Sequence, residues 1–139
     1  GLSTPQIKLA NCCSPVLGDT ITGYVSKHSG IVIHADFCPN VKTLEDNRMI
    51  DAFWAKDIKR KYAAWIKVIG TSKTNLLSEV VTAVNATGVS IAEVNARTTS
   101  NLEIVIRLKV SVGSVNDLTA LMVNLRKITD IYSVERDVK

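Results

Sequence analysis

Residues 102–110 read Leu-Glu-Ile-Val-Ile-Arg-Leu-Lys-Val. Successive side chains of a strand point to opposite faces, so Leu102, Ile104, Ile106, Leu108 and Val110 share one side and Glu103, Val105, Arg107 and Lys109 the other. The stretch predicts a strand with one buried face. Beyond it, Ser114 with Asp117 three residues on makes a capping-box start. Val115, Leu118, Leu121, Met122, Leu125 and Ile128 then fall on one helical face, and Ile131 to Arg136 returns to strand character. Before it, Val89 to Thr98 is strand-like. Leu76, Leu77, Val80, Val81 and Val84 have helical spacing, and Gly88 stands where a helix stops. In the earliest segment Tyr62, Ala64, Ile66 and Val68 alternate with Ala63, Trp65, Lys67 and Ile69, which predicts a strand largely buried on both faces. The order β-α-β-β-α-β is the ferredoxin-like arrangement, an antiparallel sheet with both helices on one face. The fold class is α+β.

Residues 1–55 differ in kind. The stretch Ala10 to Asn40 holds all three cysteines and both histidines of the chain. Lys8 to Pro15 reads as a loop, since Ser14 before Pro15 disfavours helix. After the turn signal Gly18-Asp19, Ile21, Gly23 and Val25 alternate with Thr20, Thr22 and Tyr24 as a short strand. Lys27-His28-Ser29-Gly30 is a hairpin turn and Ile31 to His34 its partner strand. Pro39-Asn40 opens a short helical turn, and Met49 to Trp54 is a third strand candidate. A module this small buries little surface and usually needs a staple. Cys12, Cys13, His34 and Cys38 offer one, because thiolate and imidazole ligands in fours suit tetrahedral zinc. The competing reading makes the cysteines small buried hydrophobes and His34 an ordinary imidazole. His28, in the turn, is expected in solvent. Between the modules, Ala55 to Lys61 is charge-dense without apolar periodicity. Residues 56–61 are therefore read as a solvated linker to a second domain at 62–139.

Composition narrows the function. The chain has 139 residues, 46% hydrophobic and 22% charged, with net charge +4. Residues 1–61 hold eight Lys/Arg against six Asp/Glu and residues 62–139 nine against seven, so the mild positive charge is spread evenly. That permits RNA contact without demanding it. No run of 18 apolar residues and no signal-peptide pattern appear, so no membrane partner is expected. Three cysteines, two of them adjacent, do not make a disulfide framework, and a reducing, cytoplasmic setting is expected. Gly70-Thr71-Ser72-Lys73-Thr74 follows a strand and precedes a helix, yet lacks the spacing of a phosphate loop. No catalytic constellation is legible, and the chain itself is read as non-catalytic. A redox switch at Cys12-Cys13 is a further, minor reading.

Cys12-Cys13-Ser14-Pro15, Gly18-Asp19, Ile21, Gly23-Tyr24-Val25, Gly30-Ile31 and Ile33-His34 with Cys38-Pro39-Asn40 resemble the conserved-cysteine, zinc-finger-like domain near the C-terminus of RelA/SpoT-type GTP pyrophosphokinases. Arg48-Met49-Ile50 with Trp54 resembles that domain's end. The βαββαβ unit is similar to the ACT domain that follows it, down to Asp130-Ile131-Tyr132-Ser133-Val134. The resemblance implies a bacterial stringent-response protein whose parent makes, and in some members hydrolyses, (p)ppGpp. It implies that this region regulates N-terminal catalytic domains and docks on ribosomal RNA and tRNA. Departures accompany it. The family's H-R-x-D-C appears as His34-Ala35-Asp36-Phe37-Cys38, and its Gly-Arg-Gly hairpin as His28-Ser29-Gly30, which removes positive charge where RNA contact is expected. Lys27, His28, Lys42 and Arg48 remain as candidate RNA contacts. The family's Asp-Arg-x-Gly-Leu-Leu loop appears as Ser72-Lys73-Thr74-Asn75-Leu76-Leu77. Ser72, Lys73, Asn75, Leu76 and Leu77 are thus an altered candidate loop for an amino-acid ligand, against the reading of a helix-capping loop with a core leucine pair. The alternative function is an amino-acid-sensing ACT module that forms homodimers, its cysteine domain purely structural.

Overall fold

The computed structural model describes residues 6–28, 30–55, 60–72 and 75–139. Ser29, Lys73, Thr74 and residues 56–59 of the expected linker lie outside the described residues.

The first sheet has strands β1 (Ile7–Leu9), β2 (Ile21–Ser26), β3 (Gly30–Ala35) and β4 (Met49–Asp51), in the spatial order β1-β3-β2-β4. The hairpin runs from the pair Ile21–Ala35 to the pair Ser26–Gly30. Two readings need correction. The lead-in to Pro15 contains a strand, because Ile7, Lys8 and Leu9 pair in parallel with Ile31, Val32 and Ile33. Three residues are too few for alternation to register in sequence. Conversely, the strand expected at 49–54 stops at Asp51. Trp54 instead donates its indole N–H to the Asp19 carbonyl (2.9 Å) and packs edge-on against Tyr62, with ring centroids 5.3 Å apart. Two 3-10 turns, Pro39–Thr43 and Asp46–Arg48, fill the span from β3 to β4.

The second sheet has the expected order of elements, β5 (Tyr62–Thr71), α1 (Leu76–Ala86), β6 (Ser90–Thr98), β7 (Glu103–Val112), α2 (Val115–Arg126) and β8 (Ile131–Arg136). Its strands lie as β6-β7-β5-β8, all antiparallel. Leu76, Val80 and Val84 of α1 and Leu118, Leu121, Met122 and Leu125 of α2 are buried against Ala64, Ile66, Val68, Ile106, Leu108 and Val110 of the sheet. Each such aliphatic side chain contributes about 1.5–3 kcal/mol on burial. Ser114 caps α2 by accepting the Asp117 N–H at 3.4 Å. Leu102 stands outside the strand predicted to include it. Its φ is +62°, it is exposed, and its carbonyl accepts the Ser72 N–H. β5 is buried on one face only, since Ala63 is exposed and Trp65, Lys67 and Ile69 are half-buried.

The modules share one core. Val16 is fully buried in the second module's hydrophobic cluster, with Leu9, Leu17 and Trp54 packed against it. The Leu17 carbonyl accepts the Val115 N–H at 2.6 Å, at the start of α2. Gly18 makes this approach feasible. Its φ is +99°, and a Cβ there would lie 2.6 Å from Val115 Cγ1.

Candidate metal centre

The turn at 10–14 brings two adjacent cysteines to one point. The Ser14 N–H donates to the Ala10 carbonyl (2.9 Å), and Ser14 takes the left-handed conformation at φ +46°. β3 supplies His34 and the residues after it supply Cys38, whose N–H donates back to the Ala35 carbonyl at 3.0 Å. The turn is fixed to β3 by the Ala10 N–H on the Ile33 carbonyl at 2.8 Å. Cys13, His34 and Cys38 are buried and Cys12 half-buried.

The four ligand atoms lie within 4.8 Å of one another. Cys12 Sγ is 3.5 Å from His34 Nδ1 and 3.6 Å from Cys38 Sγ. Cys13 Sγ is 3.9 Å from His34 Nδ1 and 3.9 Å from Cys12 Sγ. Ligands at zinc bond lengths of about 2.3 Å for sulfur and about 2.0 Å for nitrogen, placed on a tetrahedron, sit about 3.5–3.8 Å apart. The donor set and its spacing fit such an ion. A disulfide needs sulfurs near 2.05 Å, and all three thiols are free.

The electrostatics set a condition on loading. Burial pushes the Cys13 thiol up to about 12, only partly offset by the Ala35 N–H that donates to its sulfur at 3.3 Å. Burial likewise raises Cys38. For Cys12 burial acts upward too, yet hydrogen bonds from Asn40, Cys38 and Cys13 outweigh it and the thiol is lowered. Burial lowers His34, which keeps the imidazole neutral and its nitrogen lone pair available. Asn40 is the residue that ligand-type reasoning passes over. It stands two positions after Cys38, with no spacing rule to mark it, and its amide also donates to the Lys139 carbonyl at 3.3 Å. Val138 packs on the same cluster, and the Lys139 N–H donates to the Cys12 carbonyl at 2.8 Å. The C-terminal strand of the second module thus runs directly onto the cysteine turn.

The other candidates separate. Lys27 and His28 are exposed at the hairpin turn, and the Arg48 Nε–H donates to the Val25 carbonyl (2.7 Å) with its guanidinium 5.8 Å from the Tyr24 ring centre. These three gather at one end of the first sheet. Lys42 lies in the 3-10 turn beyond the opposite end. In the candidate ligand loop, the Ser72 N–H is bonded to Leu102, Asn75 caps α1 through its carbonyl, Leu76 is fully buried and Leu77 packs on the core. Lys73 is outside the described residues. Among the described residues no helix is long and apolar enough to cross a membrane.

Comparison with known proteins follows these two modules. The ACT domain profile matches residues 58–136, and the RelA/SpoT RIS domain profile matches residues 1–55. A GTP pyrophosphokinase of Myxococcus xanthus is 26% identical over 136 residues, covering 98% of this chain and 18% of that protein. The bifunctional (p)ppGpp synthase/hydrolase RelA of Mycobacterium tuberculosis is 30% identical over 131 residues, covering 93% of this chain and 18% of that protein. The chain therefore spans under a fifth of these relatives' length. The crystal structure of the ACT domain from the GTP pyrophosphokinase of Chlorobium tepidum aligns at TM-score 0.50 and 22% identity, over 55% of this chain and 97% of that one. That likeness supports the fold.

Proposed function

The chain belongs to the RelA/SpoT family, of whose proteins it forms the RIS and ACT regulatory region, and from that premise we propose that it docks on ribosomal RNA and tRNA and so controls the catalytic domains of a (p)ppGpp-metabolising, cytoplasmic parent. The observation that carries the reading is the basic end of the first sheet, where Lys27 and His28 are exposed and Arg48 is held beside them through Val25. A guanidinium held beside the sheet, next to an exposed lysine, suits phosphate contact. Zinc on Cys12, Cys13, His34 and Cys38 has a structural part. Bound there, it cross-links the 10–14 turn to β3 and to the residues that follow it. All four protein ligands are spent on the ion, as in closed structural sites rather than catalytic ones.

The test is co-sedimentation of the purified, zinc-loaded chain with ribosomes, with and without deacylated tRNA, over a salt series. Saturable binding that weakens with salt is expected, with the salt slope reduced by about one for each of Lys27→Gln and Arg48→Gln. No sedimentation at low salt would refute docking by this region.

A second reading has its own observation. β6 is an edge strand with every residue from Ala92 to Thr98 exposed, Val94 among them at 45%. An open, partly apolar edge invites pairing with a second copy, which suits a dimerising, amino-acid-sensing ACT module. The buried Leu76 argues against a ligand entering at residues 72–77. Calorimetry with branched-chain amino acids, together with sedimentation equilibrium, distinguishes the two.

A further inference from the structure

Between the modules runs a groove of about 410 Å³. Asn11 and Ser14 of the cysteine turn line one side, Trp65 and Lys109 of the second sheet's outer face line the other, and Arg60 and Lys139 complete it. Trp65 and Lys109 are directly opposite one another on β5 and β7. The Lys139 ammonium stands over the indole, 5.1 Å from the ring centre. Its main chain is pinned at both ends, by the Cys12 carbonyl at 2.8 Å and the Asn40 amide at 3.3 Å. The cation is therefore presented to the groove by the fold.

Lys109 and Lys139 border this concavity, Arg60 lines it with its guanidinium 4.6 Å from the Tyr62 ring centre, and no lining side chain among the described residues is a carboxylate. Two carboxylates stand nearby. Asp137, whose N–H donates to the Trp65 carbonyl, is bonded to the Arg107 guanidinium at 3.1 Å, and Glu93 is the cross-strand neighbour of Lys109 on the side away from Trp65. The surplus of positive charge over a half-buried aromatic face calls for an anion that also carries a planar group.

We infer that this groove binds a nucleotide unit, its base stacked on Trp65 where the Lys139 ammonium now stands and its phosphate held by Lys109 and Lys139. Asn11 and Ser14 offer hydrogen bonds at the opposite wall. Binding is non-covalent and consumes nothing. The same chemistry is presented by a free mononucleotide and by one unpaired nucleotide of an RNA. Only the second source overlaps with the docking reading.

The experiment titrates the zinc-loaded chain with GMP, AMP, a single-stranded RNA octamer and inorganic phosphate, following tryptophan fluorescence and calorimetric heat. Saturable quenching by a nucleotide or by the octamer is expected. Lys109→Gln with Lys139→Gln weakens it at least about tenfold, because two phosphate-facing charges are lost. Trp65→Leu keeps an apolar side chain and removes the stacking platform, and the affinity falls by about tenfold. Circular dichroism melts on these variants separate loss of binding from loss of fold. Response to mononucleotides makes the free nucleotide the ligand, even if ribosome docking fails. Response to the octamer alone assigns the groove to RNA. Phosphate binding as tightly as GMP with no quenching, or no saturable response to any nucleotide in a folded chain, overturns the proposal.

Discussion

Arg136, on the last strand, closes on Asp19, in the turn before β2. Its Nη2 lies 3.1 Å from Oδ2 and its Nη1 3.2 Å from Oδ1 across 117 positions of sequence. The two side chains are only 15% and 5% exposed. Both ends are further committed. Arg136 Nη2 also donates to the Ser14 carbonyl at 3.1 Å and its guanidinium lies 4.7 Å from the Phe37 ring centre. Asp19 accepts the Val16 N–H at 2.8 Å on its carboxylate, and its carbonyl takes the Trp54 indole. One pair therefore holds the cysteine turn, the strand that follows it and the second sheet in a single arrangement.

Breaking a buried pair from one side leaves the other charge uncompensated, which costs about 3–5 kcal/mol. Asp19→Ala and Arg136→Ala should each lower urea unfolding stability by at least about 3 kcal/mol. The double variant should lose far less than the sum. Arg136→Lys should not restore the wild-type value, because an ammonium cannot serve two carboxylate oxygens and a carbonyl as a planar fork does. Strictly additive single losses would show that the pair does not couple the modules.

The metal centre makes a separate demand. One equivalent of zinc is expected in the purified chain, lost on Cys12→Ser with Cys38→Ser. Chelation should lower the melting temperature and raise amide exchange first in β1 to β3, while β5 and β7 stay protected. Among the described residues Val16 is the one fully buried residue that the first module gives to the second module's cluster, whose other buried members lie on the second module's own strands and helices, so that core survives loss of the staple. Uniform exchange across both sheets after chelation would contradict that division, and a folded chain without metal would return the cysteines to the role of packing residues.

Much of this was legible in residue order, for reasons that also mark where legibility ends. Alternation at 102–110 and helical spacing at 76–84 and 115–125 are local patterns repeated over long elements, and they decide the second module. The ligand-type residues of the first module were identifiable by chemistry alone, and the structure brings Cys12, Cys13, His34 and Cys38 together. What failed was either short or relational. β1 has three residues, too few for a period. The outward face of β5 carries Trp65 and Ile69, whose apolar character suggested a second buried side, although in the fold that face borders a groove. Leu102 is an apolar residue at the right spacing that a turn with φ +62° removes from its strand. The Asp19–Arg136 pair and the burial of Val16 in the other module's core depend on how two modules meet, and no local pattern records that.

Gly70 tests the close packing at the end of β5. A Cβ there would lie 2.5 Å from the Asp130 carbonyl oxygen and closer still to Leu76 Cδ2. The register between β5 and β8 shifts at this position, and the Thr71 N–H takes the same Asp130 carbonyl at 3.0 Å. Backbone cannot withdraw as a flexible side chain can. Gly70→Ala should cost about 1–3 kcal/mol, the range for an overpacked core. Leu76→Ala, which alone costs about 2–5 kcal/mol as the loss of a buried leucine, should combine with it less than additively, because it removes one of the two obstacles. Full wild-type stability of the single variant would mean that the 130–131 turn is free to move.

Protons and metal compete at the centre, with a sign that can be worked out. Cys13 is raised to about 12 and Cys38 is also raised, so both are thiols near neutral pH in the metal-free chain and must lose their protons to bind zinc. At least two protons should therefore be released per ion, from Cys13 and Cys38, and apparent affinity should rise at least about a hundredfold per pH unit near pH 7. His34 adds an opposite constraint at lower pH. Its imidazole is held below the ordinary 6.5 by burial, whereas the unfolded chain titrates at that value. Unfolding then takes up a proton, so stability present above pH 6.5 is lost as pH falls below it. Calorimetry in buffers of different ionisation enthalpy counts the released protons, and urea melts of the metal-free chain between pH 5 and 8 read the second effect. His34→Gln should flatten the acid limb of those melts. Zinc binding with no proton release would show that the cysteines are already thiolates, contrary to their burial.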